Sequence, residues 1–165
     1  MTPPLLTLPF LMDSPCANMA TDLWMLRSFP QQESPRFRHY GWDRPCHTFG
    51  YGQDFDWVSQ QIGQSRESFC RRPTGGGLVD HRDDWTYALV IPSTHPAASS
   101  QIRASYEALH RALAKSMSLL GVETKPVAPP LRQGGEGDFP STPGCCFEEP
   151  VAYDISRIED GAKVA

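Results

Sequence analysis

The sequence carries no excess of positive charge. Fifteen Lys and Arg stand against nineteen Asp and Glu, a formal net charge of −4. That excludes the broad basic face by which proteins follow a nucleic-acid backbone. No apolar run approaches the ~20 residues of a membrane-spanning helix, so neither nucleic acid nor membrane is expected as a partner. The apolar, Pro-containing start, Met1 to Phe10, has no basic leader, which argues against a secretory signal and for a cytoplasmic protein. No C-x-x-C pair occurs, the five cysteines are odd in number, and Cys145 and Cys146 are adjacent. A zinc site and a secreted disulfide framework are both disfavoured. No constellation of metal ligands, no phosphate-binding G-x-x-x-x-G-K-[ST] and no internal repeat is found, so the expected metal set is none.

What is present is a costly loop. Three consecutive glycines sit in Arg71-Arg72-Pro73-Thr74-Gly75-Gly76-Gly77-Leu78-Val79-Asp80-His81, although glycine loses more backbone freedom on folding than any other residue. Side-chain-free residues let a ligand approach the backbone, and their N–H groups can face an anion or a carbonyl. The two arginines add positive charge beside that gap.

The 165 residues, 39% hydrophobic and 21% charged, suit one soluble globular domain spanning 1–165. Residues 1–12 read as a leading strand. Ser14 and Pro15 then give an N-cap and a first helical position, with Met19, Leu23 and Leu26 at helical spacing. Strands are predicted over 36–42 and 46–51, a short helix over 56–64, and a strand over 68–72 that delivers the chain into the glycine loop. Residues 85–91 read as a central strand. Ile102, Tyr106, Leu109, Leu113, Met117 and Leu120 form one apolar stripe, a helix over 101–120 stopped by Gly121. Tyr106 is assigned to the core with that stripe, and His110 is given no special role. A strand over 122–127, a long loop over 128–143 and short strands over 145–147 and 152–158 follow. Glu159-Asp160-Gly161 makes a hairpin turn, with a return strand beginning at Lys163. These elements mix without a regular βαβ rhythm. The expected fold class is therefore α+β, a mixed, largely antiparallel sheet with helices packed on it. The hairpin stops too soon after its turn to pair fully, so the domain is expected to be truncated at its C-terminus.

The ordered motifs resemble the lipoate–protein ligase and octanoyltransferase family, relatives of the biotin–protein ligases. The glycine loop with Val79, His81 and Thr86-Tyr87 resembles the family's signature loop and the strand after it. Asn18-Met19-Ala20 with Asp22 resembles its first helix, and Gly50-Tyr51-Gly52-Gln53 its second turn. Asp154 followed by Gly161-Ala162-Lys163-Val164-Ala165 resembles the segment that holds its essential lysine. Ala88 departs from the serine usual after Thr-Tyr.

The resemblance implies that Arg72, Thr74, Gly75, Gly76 and Gly77 line a tunnel for a medium-chain acyl group, with His81, Tyr87 and Asp154 also in the substrate site. Lys163 is the family's lysine by position; a cation there would stabilise charge developing on a thioester or acyl-adenylate carbonyl and favour a nearby thiolate. His81 either orients the loop or helps move a proton from an incoming amine. Asp154 either contacts nucleotide or holds Lys163. Cys146-Phe147-Glu148-Glu149-Pro150 resembles the Cys-Phe segment of the cysteine-dependent octanoyltransferases, which makes Cys146 the expected nucleophile and leaves Cys145 a buried strand cysteine.

Three readings stay open. The first is transfer of an octanoyl or lipoyl group from acyl carrier protein to Cys146 and on to a lysine of a lipoyl-domain protein, with no cofactor. The second is a lipoate ligase using ATP and Mg²⁺. The third is a truncated, non-catalytic module that binds an acyl chain or a carrier.

Overall fold

The computed structural model describes residues 3–28, 34–63, 68–98, 102–127 and 154–163. They form two compact units. The first takes in the described residues as far as Ala98, the second those from Ile102 onward.

The first unit contains two sheets and two helices. In the larger sheet, β3 (Arg36–Trp42) is the axis. β1 (Leu6–Thr7) and β2 (Leu11–Asp13) pair in parallel with its start and end, and β7 (Thr86–Val90) pairs antiparallel along its other side. The predicted leading strand is thus two short pieces. The strand expected to be central, β7, has β3 as its one strand neighbour among the described residues. Its apolar run is matched by ring contacts instead, with Tyr87 stacked on Phe37 at 6.0 Å and Trp85 beside His39 at 5.0 Å.

β2 leads into α1 (Pro15–Arg27), whose Ser14 cap accepts from the Ala17 N–H at 3.3 Å. The face α1 buries is not the expected Met19, Leu23, Leu26 stripe. It is Pro15, Asn18, Met19 and Met25, while Leu26 is exposed. A buried Asn must be hydrogen-bonded, and Asn18 is: its amide donates to the carbonyls of Asp13 and Gly41 at 3.2 and 2.9 Å.

The smaller sheet has β4 (His47–Phe49) between β5 (Phe69–Arg71), parallel, and β6 (Val79–Asp80), antiparallel. α2 (Phe55–Ile62) is capped by Asp54, which accepts from the Trp57 N–H at 2.8 Å, and stopped by left-handed Gly63. Phe49, Val58, Phe69 and Leu78 pack as this layer's core. The glycine loop connects β5 to β6 and therefore rises from either side of β4.

The second unit is α3 (Ile102–Leu119) against an antiparallel pair, β8 (Thr124–Pro126) and β9 (Ile155–Arg157). Gly121, at φ +81°, ends the helix as predicted. The predicted hairpin is also present: the Gly161 N–H bonds the Arg157 carbonyl at 2.9 Å, and Lys163 pairs with Ser156. Leu120, expected in the core stripe, is exposed. The predicted loop over 128–143 and strand over 145–147 lie outside the described residues. Across both units the described pairings are parallel in β1/β3, β2/β3 and β4/β5, and antiparallel in β3/β7, β4/β6 and β8/β9, a mixed α+β architecture.

Candidate active site

The glycine loop is built against a second turn. A Cβ added to Gly50 would stand 1.9 Å from the Gly76 carbonyl oxygen, so the two backbones meet where no side chain fits. Gly76 itself has φ +95°, a conformation that favours glycine. The Tyr51 N–H donates to the Thr74 carbonyl at 2.9 Å and clamps the turns together. Gly75 is different. An added Cβ there meets nothing within 4 Å. Neither its N–H nor that of Gly76 donates a hydrogen bond among the described residues. The packing of the described residues does not require a glycine at 75, and open space with undonated N–H groups is what a ligand's carbonyl end needs.

The arginines do not form the anion cradle that their charge suggests. Arg71 donates to the carbonyls of Tyr51 and Gln53 at 2.5 and 2.8 Å and lies over the Phe49 ring. Arg72 donates to Thr48 Oγ1 at 2.7 Å and to the carbonyls of Gly77 and Gly75 at 2.5 and 3.3 Å. Both guanidiniums are directed into the loops they shape, using the fork geometry particular to Arg.

His81 lies under the loop, and both ring nitrogens have partners. Nε2 meets Thr48 Oγ1 at 2.7 Å and Nδ1 meets Asp84 Oδ2 at 2.5 Å. Trp42 lies against the ring at 4.3 Å between centroids. Asp84 is held in turn by the Thr86 hydroxyl, which accepts from the Trp42 indole N–H at 2.8 Å. A cavity of about 330 Å³ opens beside Trp42, Arg44, His81, Arg82 and Asp84. With its nitrogens so engaged, His81 fits the loop-orienting role better than proton transfer from an amine. Tyr87 lies on β7, half-buried, and burial pushes its hydroxyl pKa up.

In the second unit Lys163 Nζ lies 2.8 Å from Asp154 Oδ2, a carboxylate with no exposed side-chain surface. Tyr106 donates to the other oxygen, Oδ1, at 2.5 Å, and its ring lies 4.0 Å from that of His110. A buried charge must be paired and hydrogen-bonded, and Asp154 is both. Of the two roles open to Asp154, holding Lys163 is the one this geometry displays.

The family model of the lipoyl protein ligase A/B catalytic domain matches residues 14–149. The chain belongs to this family. It is 32% identical over 151 residues to Octanoyltransferase LipM of Oceanobacillus iheyensis, covering 90% of this chain and 52% of that protein. It is also similar to a solved lipoate-protein ligase A bound with ATP, at 26% identity and a TM-score of 0.58, over 94% of this chain and 56% of that one. The bipartite lipoate protein ligase of Thermoplasma acidophilum, from an archaeal lipoylation system, shares the fold at a TM-score of 0.63 and 24% identity, over 99% of this chain and 54% of that one. The chain spans about half the length of the curated relatives it matches.

The family's first-helix motif takes a structural part here. Asn18 Oδ1 accepts from Arg38 at 2.5 Å, Arg38 pairs with Asp22 at 3.1 Å, and Tyr40 donates to Asp22 at 2.8 Å. Burial pushes the Asp22 carboxyl up, against the lowering effect of Tyr40 and Arg38. This network ties α1 to β3. Of the cysteines, Cys16, Cys46 and Cys70 are described and carry free thiols. Burial, then the carboxylates of Asp84, Asp43 and Asp80, push the Cys46 thiol up to about 12. Burial and the neighbouring Cys16 thiol raise that of Cys70. Neither is a thiolate nucleophile near neutral pH. Cys146, the expected nucleophile, lies outside the described residues.

Sequence reasoning passed over Thr48, Asp84 and Trp42, read Thr86 only as part of the strand after the loop, and assigned Tyr106 to the core. Tyr106 carried a usable signal, since Tyr106 and His110 stand four apart on one helix face and each has a polar atom to place. Thr48 and Asp84 carried none, because their partners are tens of residues away or in an irregular turn.

Proposed function

We propose that this family member transfers a medium-chain acyl group, octanoyl or lipoyl, from acyl carrier protein to a lysine of a lipoyl-domain protein. What supports the reaction class is the similarity to Octanoyltransferase LipM together with the Cys146-Phe147 segment. What supports the acyl site is that, among the described residues, the face of Gly75 is open and the N–H groups of Gly75 and Gly76 are undonated. The family match runs from residue 14 to residue 149, which supports reading both units as parts of one catalytic domain. The free thiols of Cys16, Cys46 and Cys70 fit a reducing, cytoplasmic setting.

In the first step the Cys146 thiolate attacks the carrier thioester. Its sulfur bonds to the acyl carbon, the carrier's C–S bond breaks, and the carrier leaves as a thiolate that takes up the proton Cys146 released on ionising. In the second step the acceptor lysine amine attacks that carbonyl. The amide C–N bond forms, the Cys146 C–S bond breaks, and the amine proton ends on the thiol. Splitting the transfer this way replaces one difficult step by two easier ones. Lys163, held by Asp154, supplies positive charge for the developing oxyanion. Arg72, Thr74, Gly77, His81 and Tyr87 shape the acyl-binding region. Intact mass spectrometry after incubation with octanoyl carrier protein should show one octanoyl adduct without ATP. That adduct is expected to vanish in Cys146→Ala and persist in Cys145→Ala; an adduct surviving in Cys146→Ala overturns the reading.

The similarity to a ligase bound with ATP favours a second reading, activation of free lipoate by ATP and Mg²⁺ through an acyl-adenylate. Lipoylation of a lipoyl domain from free lipoate, strictly dependent on ATP, would establish it in place of the first.

A further inference from the structure

We propose that Asp84 is a positioning residue for the acyl-binding loop, acting through His81, Thr48 and Arg72. The inference rests on the acyl-transfer reading of that loop.

The contacts form one unbroken chain. The Trp42 indole donates to Thr86 at 2.8 Å, Thr86 donates to Asp84 at 2.9 Å, and Asp84 meets His81 Nδ1 at 2.5 Å. His81 Nε2 meets Thr48 at 2.7 Å, Arg72 donates to Thr48 at 2.7 Å, and Arg72 also donates to the carbonyls of Gly75 and Gly77. It begins on the long strand β3 and ends on the loop backbone.

Donor and acceptor counting gives this chain a direction. A threonine hydroxyl has one hydrogen to give. The Asp84 carboxylate can only accept, so the His81 ring carries its hydrogen on Nδ1 and donates it there. In the neutral ring Nε2 is then an acceptor, and Thr48, which accepts from Arg72, gives its one hydrogen to it. Arg72 is thereby left aimed at Thr48 with one nitrogen and at the loop carbonyls with the other. Drawing the carbonyls of Gly75 and Gly77 towards Arg72 fixes the loop's peptide planes, and with them where the N–H groups point. Thr48 is fully buried and His81 nearly so, which keeps water from substituting for either partner. No other carboxylate meets the His81 ring among the described residues.

The test uses the full chain with ¹⁵N-labelled histidine, and reads the His81 tautomer from imidazole nitrogen shifts, assigned with His81→Gln. The wild type is expected to carry its proton on Nδ1. In Asp84→Ala the tautomer is expected to move towards Nε2–H, the form histidine favours when nothing holds it. The rate of octanoyl-enzyme formation at low carrier concentration should fall roughly 10- to 100-fold, the scale of a misplaced reacting group. Asp84→Asn, which keeps an acceptor oxygen, should recover part of both. A wild-type ring protonated on Nε2, an unchanged tautomer in Asp84→Ala, or a shifted tautomer with an unchanged acylation rate each overturns the proposal. If the wild type forms no acyl-enzyme, the acyl-transfer reading fails instead, and the tautomer still reports on the contacts themselves.

Discussion

The two units place charge in opposite ways. In the first, Arg71, Arg72, His81 and Asp84 act mostly on backbone carbonyls and hydroxyls, and each loop is held by several bonds at once. In the second, one buried carboxylate gathers a cation and a hydroxyl: Asp154, wholly buried, faces Lys163 on one oxygen and Tyr106 on the other. The first arrangement spreads a perturbation over many weak contacts. The second concentrates it on one pair whose members cannot be removed singly without leaving a charge in a dry place.

The largest expected effect follows from that contrast. Lys163→Met should destabilise the second unit by about 3–5 kcal/mol, the cost of stranding a buried charge, and abolish transfer. Adding Asp154→Asn should restore most of the stability and none of the activity. Chemical denaturation of the single and double variants checks this; equal stability of Lys163→Met and wild type would break the comparison.

In the first unit the informative pair is glycine against glycine. Gly50→Ala drives a Cβ into the Gly76 carbonyl and should cost about 1–3 kcal/mol, as overpacking does. Gly75→Ala meets nothing within 4 Å among the described residues, so stability should stay within about 0.5 kcal/mol while octanoyl-enzyme formation drops. Were Gly75→Ala instead to acylate normally, the acyl chain would not run along that face.

A smaller effect concerns the thiols. Cys16 is exposed and Cys46 buried, with the Cys46 pKa raised to about 12. Alkylation at neutral pH should modify Cys16 readily and Cys46 only after unfolding, as peptide mapping would show.

The sequence was most readable where a local rule is stiff. Ser14-Pro15 follows from a capping hydroxyl and a proline at the first helical position, the α3 stop at Gly121 and the turn at Gly161 from left-handed backbone that few residues accept, and all are found. It was least readable where the partner is distant. β6 pairs with β4 across thirty residues, and no pattern within two residues announces a strand. The stripe on α1 misled because polar residues share the inward face with Met19 and Met25: Asn18 and Asp22 satisfy Arg38 and Tyr40 on β3, while apolar spacing pointed to Leu26, which is exposed. The glycine loop was legible as a site but not as a mechanism. Its arginines suggest anion binding by composition, and only the folded structure turns them onto carbonyls.

The smallest expected effect is on acid stability, where the units should respond with opposite sign. Burial raises the Asp22 carboxyl above its usual value. The folded first unit then holds a proton that the unfolded chain has lost, so this group's contribution is present at low pH and declines as pH rises through its folded pKa. Asp160, in the second unit, is lowered to about 2 by its hydrogen bonds from Arg157 and the Ala162 N–H. Its contribution is present above the usual carboxylate range near 4 and is lost as pH falls towards 2. Asp160 is exposed, so salt should screen its effect far more than that of Asp22. Amide exchange resolved by unit, compared at pH 3 and pH 6, should show Asp160→Asn flattening the acid loss in the second unit. Asp22→Asn should flatten the opposite slope in the first. Identical slopes before and after either substitution would show that the charge in that unit is not placed as the contacts indicate.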